Sequence, residues 1–182
     1  MNPARQRALE SFSNGPVKLG LELKRFPRRM WTHKIPRDCR SIHEIVWELA
    51  DREVIEYIYA RRCVAEPDSP GIDIDSSAWC DRLGHFETDV REAIEMIRVL
   101  RLASYHFLAL LSDDAWSLTG EVPVYGRVSL DVWLEGQNKY LSDQIERMRK
   151  IYSQWAELPL VQNLKSDPKY CRMACSVTSS ES

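Results

Sequence analysis

Residues 129–155, SLDVWLEGQNKYLSDQIERMRKIYSQW, decide the fold, because Leu130, Leu134, Gln137, Leu141, Ile145, Met148, Tyr152 and Trp155 recur at alternating spacings of three and four. That alternation is the seam of a long helix packed against others. Ser129 is placed to cap its start, and Pro159 marks its end. One polar residue, Gln137, stands on the seam itself.

The same periodicity recurs upstream. A helix is expected from about Glu87 to Leu111, with Ala93, Ile97, Leu100, Ser104, Phe107 and Leu111 on its seam and Val99, Leu102, Ala103 and Leu110 widening the apolar arc. Another is expected from Ser41 to about Arg62, opened by a capping box of Ser41 and Glu44 and carrying Ile42, Ile45, Val46, Leu49 and Tyr57 on one face. Glu48 and Arg52 fall at the edge of that face. The first helix holds Leu9, Phe12, Pro16, Leu19, Leu23 and Phe26, is interrupted at Gly15 and Pro16, and is ended by Pro27.

The connections are equally informative. Between Ala65 and Phe86 the period fails and Pro67, Pro70, Gly71 and several aspartates appear, which predicts a long link with a short helix over 77–83 and Trp79 as its anchor. Such a link suits a third helix that crosses over instead of returning directly. A second connection runs from Ser112 to Arg127, with a brief extended pairing expected over 122–125. The chain reads as all-α: a four-helix bundle over 1–158, then a flexible C-terminal tail over 159–182.

Composition bounds the function classes. The 182 residues are 44% apolar and 29% charged with a formal charge of -2, which suits one globular core and would cramp two domains. No apolar run reaches the roughly 18 residues of a membrane span, and MNPARQRALE lacks the apolar core of a signal peptide, so a cytoplasmic address is expected. Cys39, Cys63, Cys80, Cys171 and Cys175 are odd in number and scattered, which excludes a disulfide framework. Near-neutral charge argues against nucleic-acid binding, and the basic first forty residues are expected to pair with the more acidic later helices.

Motifs for chemistry are few. The four histidines, His33, His43, His85 and His106, form no HExxH and no helical pair, so a conventional zinc site has no support. His43 is expected to be solvated and His106 to be a hydrogen-bonded core residue. Cys171 and Cys175 alone make an incomplete metal site. Glycine-rich phosphate loops and GxSxG are absent, which removes nucleotide and serine-hydrolase readings. What remains is polar content inside the bundle, Glu48, Arg52 and Gln137, which reads equally as a network fixing helix register or as the floor of a pocket.

Residues 40–53, RSIHEIVWELADRE, resemble the WSxREIxxHLADxE signature of the DinB/YfiT-like superfamily of bundle proteins. The resemblance continues through PGIDIDSSAWCDRL at 70–83 and GRVSLDVWLEGQNKYLSDQIERM at 126–148, and covers residues 8 to 155. It implies a bacterial, cytoplasmic four-helix bundle with a long crossover between helices two and three, commonly a homodimer. Characterised members include thiol S-transferases whose divalent metal is held by three histidines, one on helix two and an HxxxH pair on helix four. Carried over, those positions are Glu48, Gln137 and Leu141.

All three ligands are thus replaced, and Leu141 has no donor atom. No metal or other cofactor is expected, the alternative being zinc, nickel or manganese held weakly through Glu48. The function expected is that of a bundle protein with a degenerate metal site, non-catalytic, binding a small molecule or a partner. Its pocket would be bordered by Glu48, Gln137 and Leu141, with Arg52 and Trp79 as neighbours. The alternative is an enzyme of the thiol S-transferase type, with a rebuilt metal site or Glu48 as general base.

Overall fold

The structure, a computed structural model, describes residues 2–35, 40–67, 69–123 and 126–158. The residues of the C-terminal tail, with Cys171 and Cys175, lie outside the described residues, as does Cys39. The helices are α1 (Pro3–Ser13), α2 (Gly15–Lys24), α3 (Ile42–Ala65), α4 (Ser76–Arg82), α5 (Val90–Ala109) and α6 (Leu130–Ala156). Between α5 and α6 an antiparallel hairpin pairs β1 (Thr119–Val122) with β2 (Gly126–Ser129). None of the described helices is long and apolar enough to cross a membrane.

Side-chain bonds fix how the helices run. On α3 and α5, His43 meets the Thr88 carbonyl, Glu53 meets Arg101, and Arg61 reaches the Ala103 carbonyl, so the two helices are parallel. Parallel neighbours cannot be joined by a tight turn, which is why the long link that carries α4 is needed. Arg5 to Asp131, Asn138 to the Ala8 carbonyl and Arg149 to Glu22 make the first helix parallel to α6. Arg5 to Asp113 and Arg101 to the Phe12 carbonyl make it antiparallel to α5. The expected bundle with its crossover is therefore present, with α1 and α2 together as its first helix.

The break between α1 and α2 follows from Pro16, which has no amide to offer the Phe12 carbonyl one turn back. The Arg101 guanidinium, 3.2 Å away, donates to that carbonyl instead. Gly15 makes room for it, since a Cβ there would collide with Arg101 Nη1 and stand 2.7 Å from a Leu141 methyl.

Two apolar clusters form the core. One holds Leu19, Leu23, Ile45, Ala50, Ile97, Leu141, Met148 and Trp155, and the other Leu9, Phe12, Tyr59, Leu108, Trp116, Leu130 and Leu134. On every bundle helix, buried residues outside both sets stand between them: Gly15 and Pro16, Glu53 and Glu56, Arg101 and Ser104, and Gln137. A buried polar layer thus divides the core, and the Glu53–Arg101 ion pair at 2.8 Å is its centre.

Some expectations need correction. His43 is buried, not solvated: its Nε2 lies 3.0 Å from the Thr88 carbonyl and its ring stacks on Phe86, because the end of the link folds over the first turn of α3. His106 is exposed, because the buried face of α5 runs through Ile97, Arg101, Ser104 and Leu108 and places His106 on the other side. Cys80 and His85 are the buried residues of the link beyond Ala65, while Trp79 is half-buried. The extended pairing lies at 119–129 instead of 122–125. α5 begins only at Val90, since His85–Glu87 make a 3₁₀ turn and Asp89 caps the helix. α3 runs one turn past Arg62, to Ala65.

The capping box of α3 is present. Glu44 accepts from the Ser41 amide at 2.7 Å and from Lys34 at 2.8 Å. Burial alone would raise the Glu44 carboxyl, but Lys34 and Ser41 outweigh it and hold it below its usual range. A depressed carboxyl stabilises the fold above its unfolded value and loses that contribution as pH falls through its folded value. Glu44→Gln is therefore expected to be less stable than wild type at pH 7, with the two urea midpoints converging as pH drops below about 4.5.

Candidate functional site

One stripe of α3, carrying Glu48, Arg52, Ile55, Glu56, Tyr59, Arg62 and Cys63, with Glu66 just past its end, forms the floor of a groove of about 310 Å³. The link residues 69–74 form one wall and Gly120–Pro123 of the hairpin the other, and Tyr140 of α6 closes one end. Two glycines let the walls approach. A Cβ on Gly120 would stand 2.5 Å from Cys63 Sγ and 2.9 Å from the Tyr59 ring, and one on Gly71 would stand 2.7 Å from the Glu121 carbonyl oxygen.

Tyr59 ties the hairpin to the floor. Its hydroxyl lies 3.2 Å from the Gly120 carbonyl and 3.1 Å from that of Val128, and shares its hydrogen between them. Burial pushes its ionisation up, so it stays a neutral donor. Burial likewise pushes the Cys63 thiol up, against the opposing effect of the Tyr59 hydrogen bond. Cys63 is thus a protonated floor residue and a poor nucleophile.

The charges are organised in pairs. Arg52 bridges to Glu56 at 2.9 Å and lies 4.2 Å over the Tyr140 ring, while Glu56 also accepts from Trp133 Nε1 at 2.6 Å. Burial raises the Tyr140 phenol, and the nearby Glu48 carboxylate raises it further. Glu48 is 3.8 Å from Arg40, and Arg62 is 3.4 Å from Glu66. Asp51 accepts from or pairs with His85 Nε2 at 2.8 Å, and the His85 ring stacks flat on Trp47 at 4.5 Å.

The residues singled out in the sequence divide between two places. Glu48 and Arg52 line the groove, although they bond to Arg40 and Glu56 respectively and not to each other. Gln137 and Leu141 are buried in the bundle and are not lining residues, nor is Trp79. Sequence reasoning missed the Asp51–His85 pair, Tyr59, Tyr140 and the hairpin wall. Tyr140 borders the seam of α6 and was open to that reading. Asp51 and His85 are separated by 34 positions, and no local pattern joins them.

A divalent metal does not fit the positions that the resemblance assigns to it. Leu141 contributes a methyl group beside the Arg101 guanidinium, and the Glu48 carboxylate faces Arg40 in a groove that Gln137 does not enter. Among the described residues no three His, Cys, Asp or Glu side chains are grouped to hold a metal.

Comparisons with known proteins bear on the fold. No family model matches the chain, and no curated protein matches it. A solved structure does: YfiT from Bacillus subtilis, described as "a probable metal-dependent hydrolase with an unusual four-helix bundle topology". It is 14% identical, with a TM-score of 0.78 over 86% of this chain and 90% of that one. At that identity the likeness speaks for architecture alone. The chain therefore has a four-helix-bundle fold similar to that of YfiT.

Proposed function

We propose that this protein is a non-catalytic small-molecule-binding bundle whose ligand lies in the groove along α3, and that the metal-dependent chemistry attributed to YfiT is not retained. The observation that carries the reading is the groove itself. Its volume of about 310 Å³ is within the range of ligand sites, and its lining mixes Ile55, Ile72 and Tyr59 with a few charged groups. The replaced ligand positions support the second half of the proposal, since a carboxylate, a buried amide and a methyl group are a poor donor set for any divalent cation.

Two measurements test it. A thermal-shift screen of small molecules against wild type and Ile72→Trp, which fills the groove from its link side, should find stabilising compounds whose effect disappears in the variant. A screen without any such compound overturns the binding reading. Elemental analysis after incubation with zinc, nickel and manganese and desalting should find no stoichiometric metal, whereas metal that is retained by wild type and lost in Glu48→Ala restores a metal centre.

A second reading rests on the placement of Glu48, whose carboxylate lines the groove under only a long bridge from Arg40. An enzyme using Glu48 as general base, including one of the thiol S-transferase type, would lose turnover in Glu48→Gln while still binding its substrate.

A further inference from the structure

The groove has a shape and a sign of charge. Its floor runs from Glu48 to Glu66, which at 1.5 Å per helical residue is roughly 27 Å. The lining follows the helix over that length, so the groove is elongated. The carboxylates lining it are Glu48, Asp51, Glu56, Glu66, Asp73 and Glu121, against the two arginines Arg52 and Arg62.

Both arginines are already bridged along α3, Arg52 to Glu56 and Arg62 to Glu66, and Arg52 is also stacked on Tyr140. Glu48 and Asp51 meet Arg40 and His85 from outside the slot. Asp73 on the link wall and Glu121 on the hairpin wall are exposed at the rim and make no ion pair among the described residues; Arg127, directly across the hairpin from Glu121, gives its hydrogen bonds to the Pro67 and Thr119 carbonyls instead. An anion entering the slot would face this excess of like charge, while a cation would be drawn along it. Between the carboxylates, Ile55, Ile72 and Ile74 offer apolar surface.

From the elongated groove, its apolar walls and its unbalanced carboxylates together, we infer that the ligand is a linear polyamine, with ammonium groups separated by methylene runs. The ammonium groups take the carboxylates at the rim and ends, and the methylenes lie against the isoleucines. This rests on the groove being the ligand site, as proposed above, and adds the chemistry of what fills it.

The test is calorimetric titration of the full chain with spermidine and spermine, beside hexylamine and glutarate as a monoamine and a dianion. It is run on wild type, on Asp73→Asn/Glu121→Gln and on Ile72→Trp, with unliganded melting curves confirming that each variant is folded. Spermine is expected to bind at least tenfold more tightly than hexylamine, to weaken at least tenfold in the rim double variant and to lose binding in Ile72→Trp. Its affinity should also fall steeply with added salt. Spermine binding that is the same in all three proteins is surface attraction and overturns the inference. No polyamine binding, while glutarate or a neutral compound binds and is lost in Ile72→Trp, overturns the ligand class and leaves the groove as a site. If nothing binds that Ile72→Trp abolishes, both readings fall.

Discussion

Arg101→Leu is expected to lower the unfolding free energy by roughly 3–5 kcal/mol, the largest single effect in this molecule. Arg101 and Glu53 are both nearly inaccessible, and their bridge spans α3 and α5 at 2.8 Å. Removing the guanidinium leaves a buried carboxylate without its partner, and it also takes the donor away from the Phe12 carbonyl that Pro16 cannot serve. Glu53 already has one oxygen without a hydrogen bond, and the unpartnered Ser104 hydroxyl of the same layer carries no charge to replace the arginine's.

Two controls separate charge from packing. Burial raises the proton affinity of Glu53 and Arg101 opposes it, so without Arg101 the carboxyl rises further above its unfolded value. A raised carboxyl is least harmful below the unfolded value and most harmful above the folded one, so the loss in Arg101→Leu should be smaller at pH 4 than at pH 8. Arg101→Leu/Glu53→Leu should recover much of the loss, because two apolar side chains in contact leave no buried charge behind. Urea denaturation of wild type and the two variants at both pH values checks this. A single variant as stable as wild type would show that the pair is not the centre of the polar layer.

Gly120→Val is expected to cost about 1–3 kcal/mol and to abolish ligand binding in the groove. The new side chain would enter the space held by Cys63 Sγ and the Tyr59 ring, both of which belong to α3. Either the hairpin lifts from the helix, breaking the reach of the Tyr59 hydroxyl to the Gly120 and Val128 carbonyls, or α3 yields, and both widen the wall. Gly120→Val/Cys63→Ala, which returns volume on the helix side, should restore part of the stability. Tryptophan fluorescence and denaturation midpoints measure the first effect, and the titration described above measures the second. Unchanged binding in a destabilised Gly120→Val would place the ligand somewhere other than against the hairpin.

The local rules of the chain are legible in the order of its residues. Three-four spacing sets the seams, Ser41 with Glu44 and Ser129 set the starts of α3 and α6, and Gly15 with Pro16 set the break in the first helix. These signals depend on residues within one or two turns of each other, so a linear sequence contains them whole. The need for a crossover is also readable, because the length and composition of the 65–86 link have no use in a bundle of simple returns.

The site is different in kind. Asp51 and His85 meet across 34 positions and Glu53 and Arg101 across 48, and nothing in either neighbourhood shows that the other exists. Gln137 is marked as polar on an apolar seam, yet only the stacking of four helices shows that it falls level with Glu53, Arg101 and Gly15 between two apolar clusters, away from the groove. Leu141 stands where the resemblance would put a metal ligand, and tertiary packing sets its methyl beside the Arg101 guanidinium. The sequence by itself determined which segments are helical and where α3 and α6 start, because those depend on short-range backbone and side-chain periodicity, whereas the later start of α5, the burial of His43 and the exposure of His106 came with the fold. Which charges pair, which carboxylates face a groove and which lie in the core were decided only when α3, α5, α6, the hairpin and the link came together, since burial and partnership are properties of contacts between distant residues.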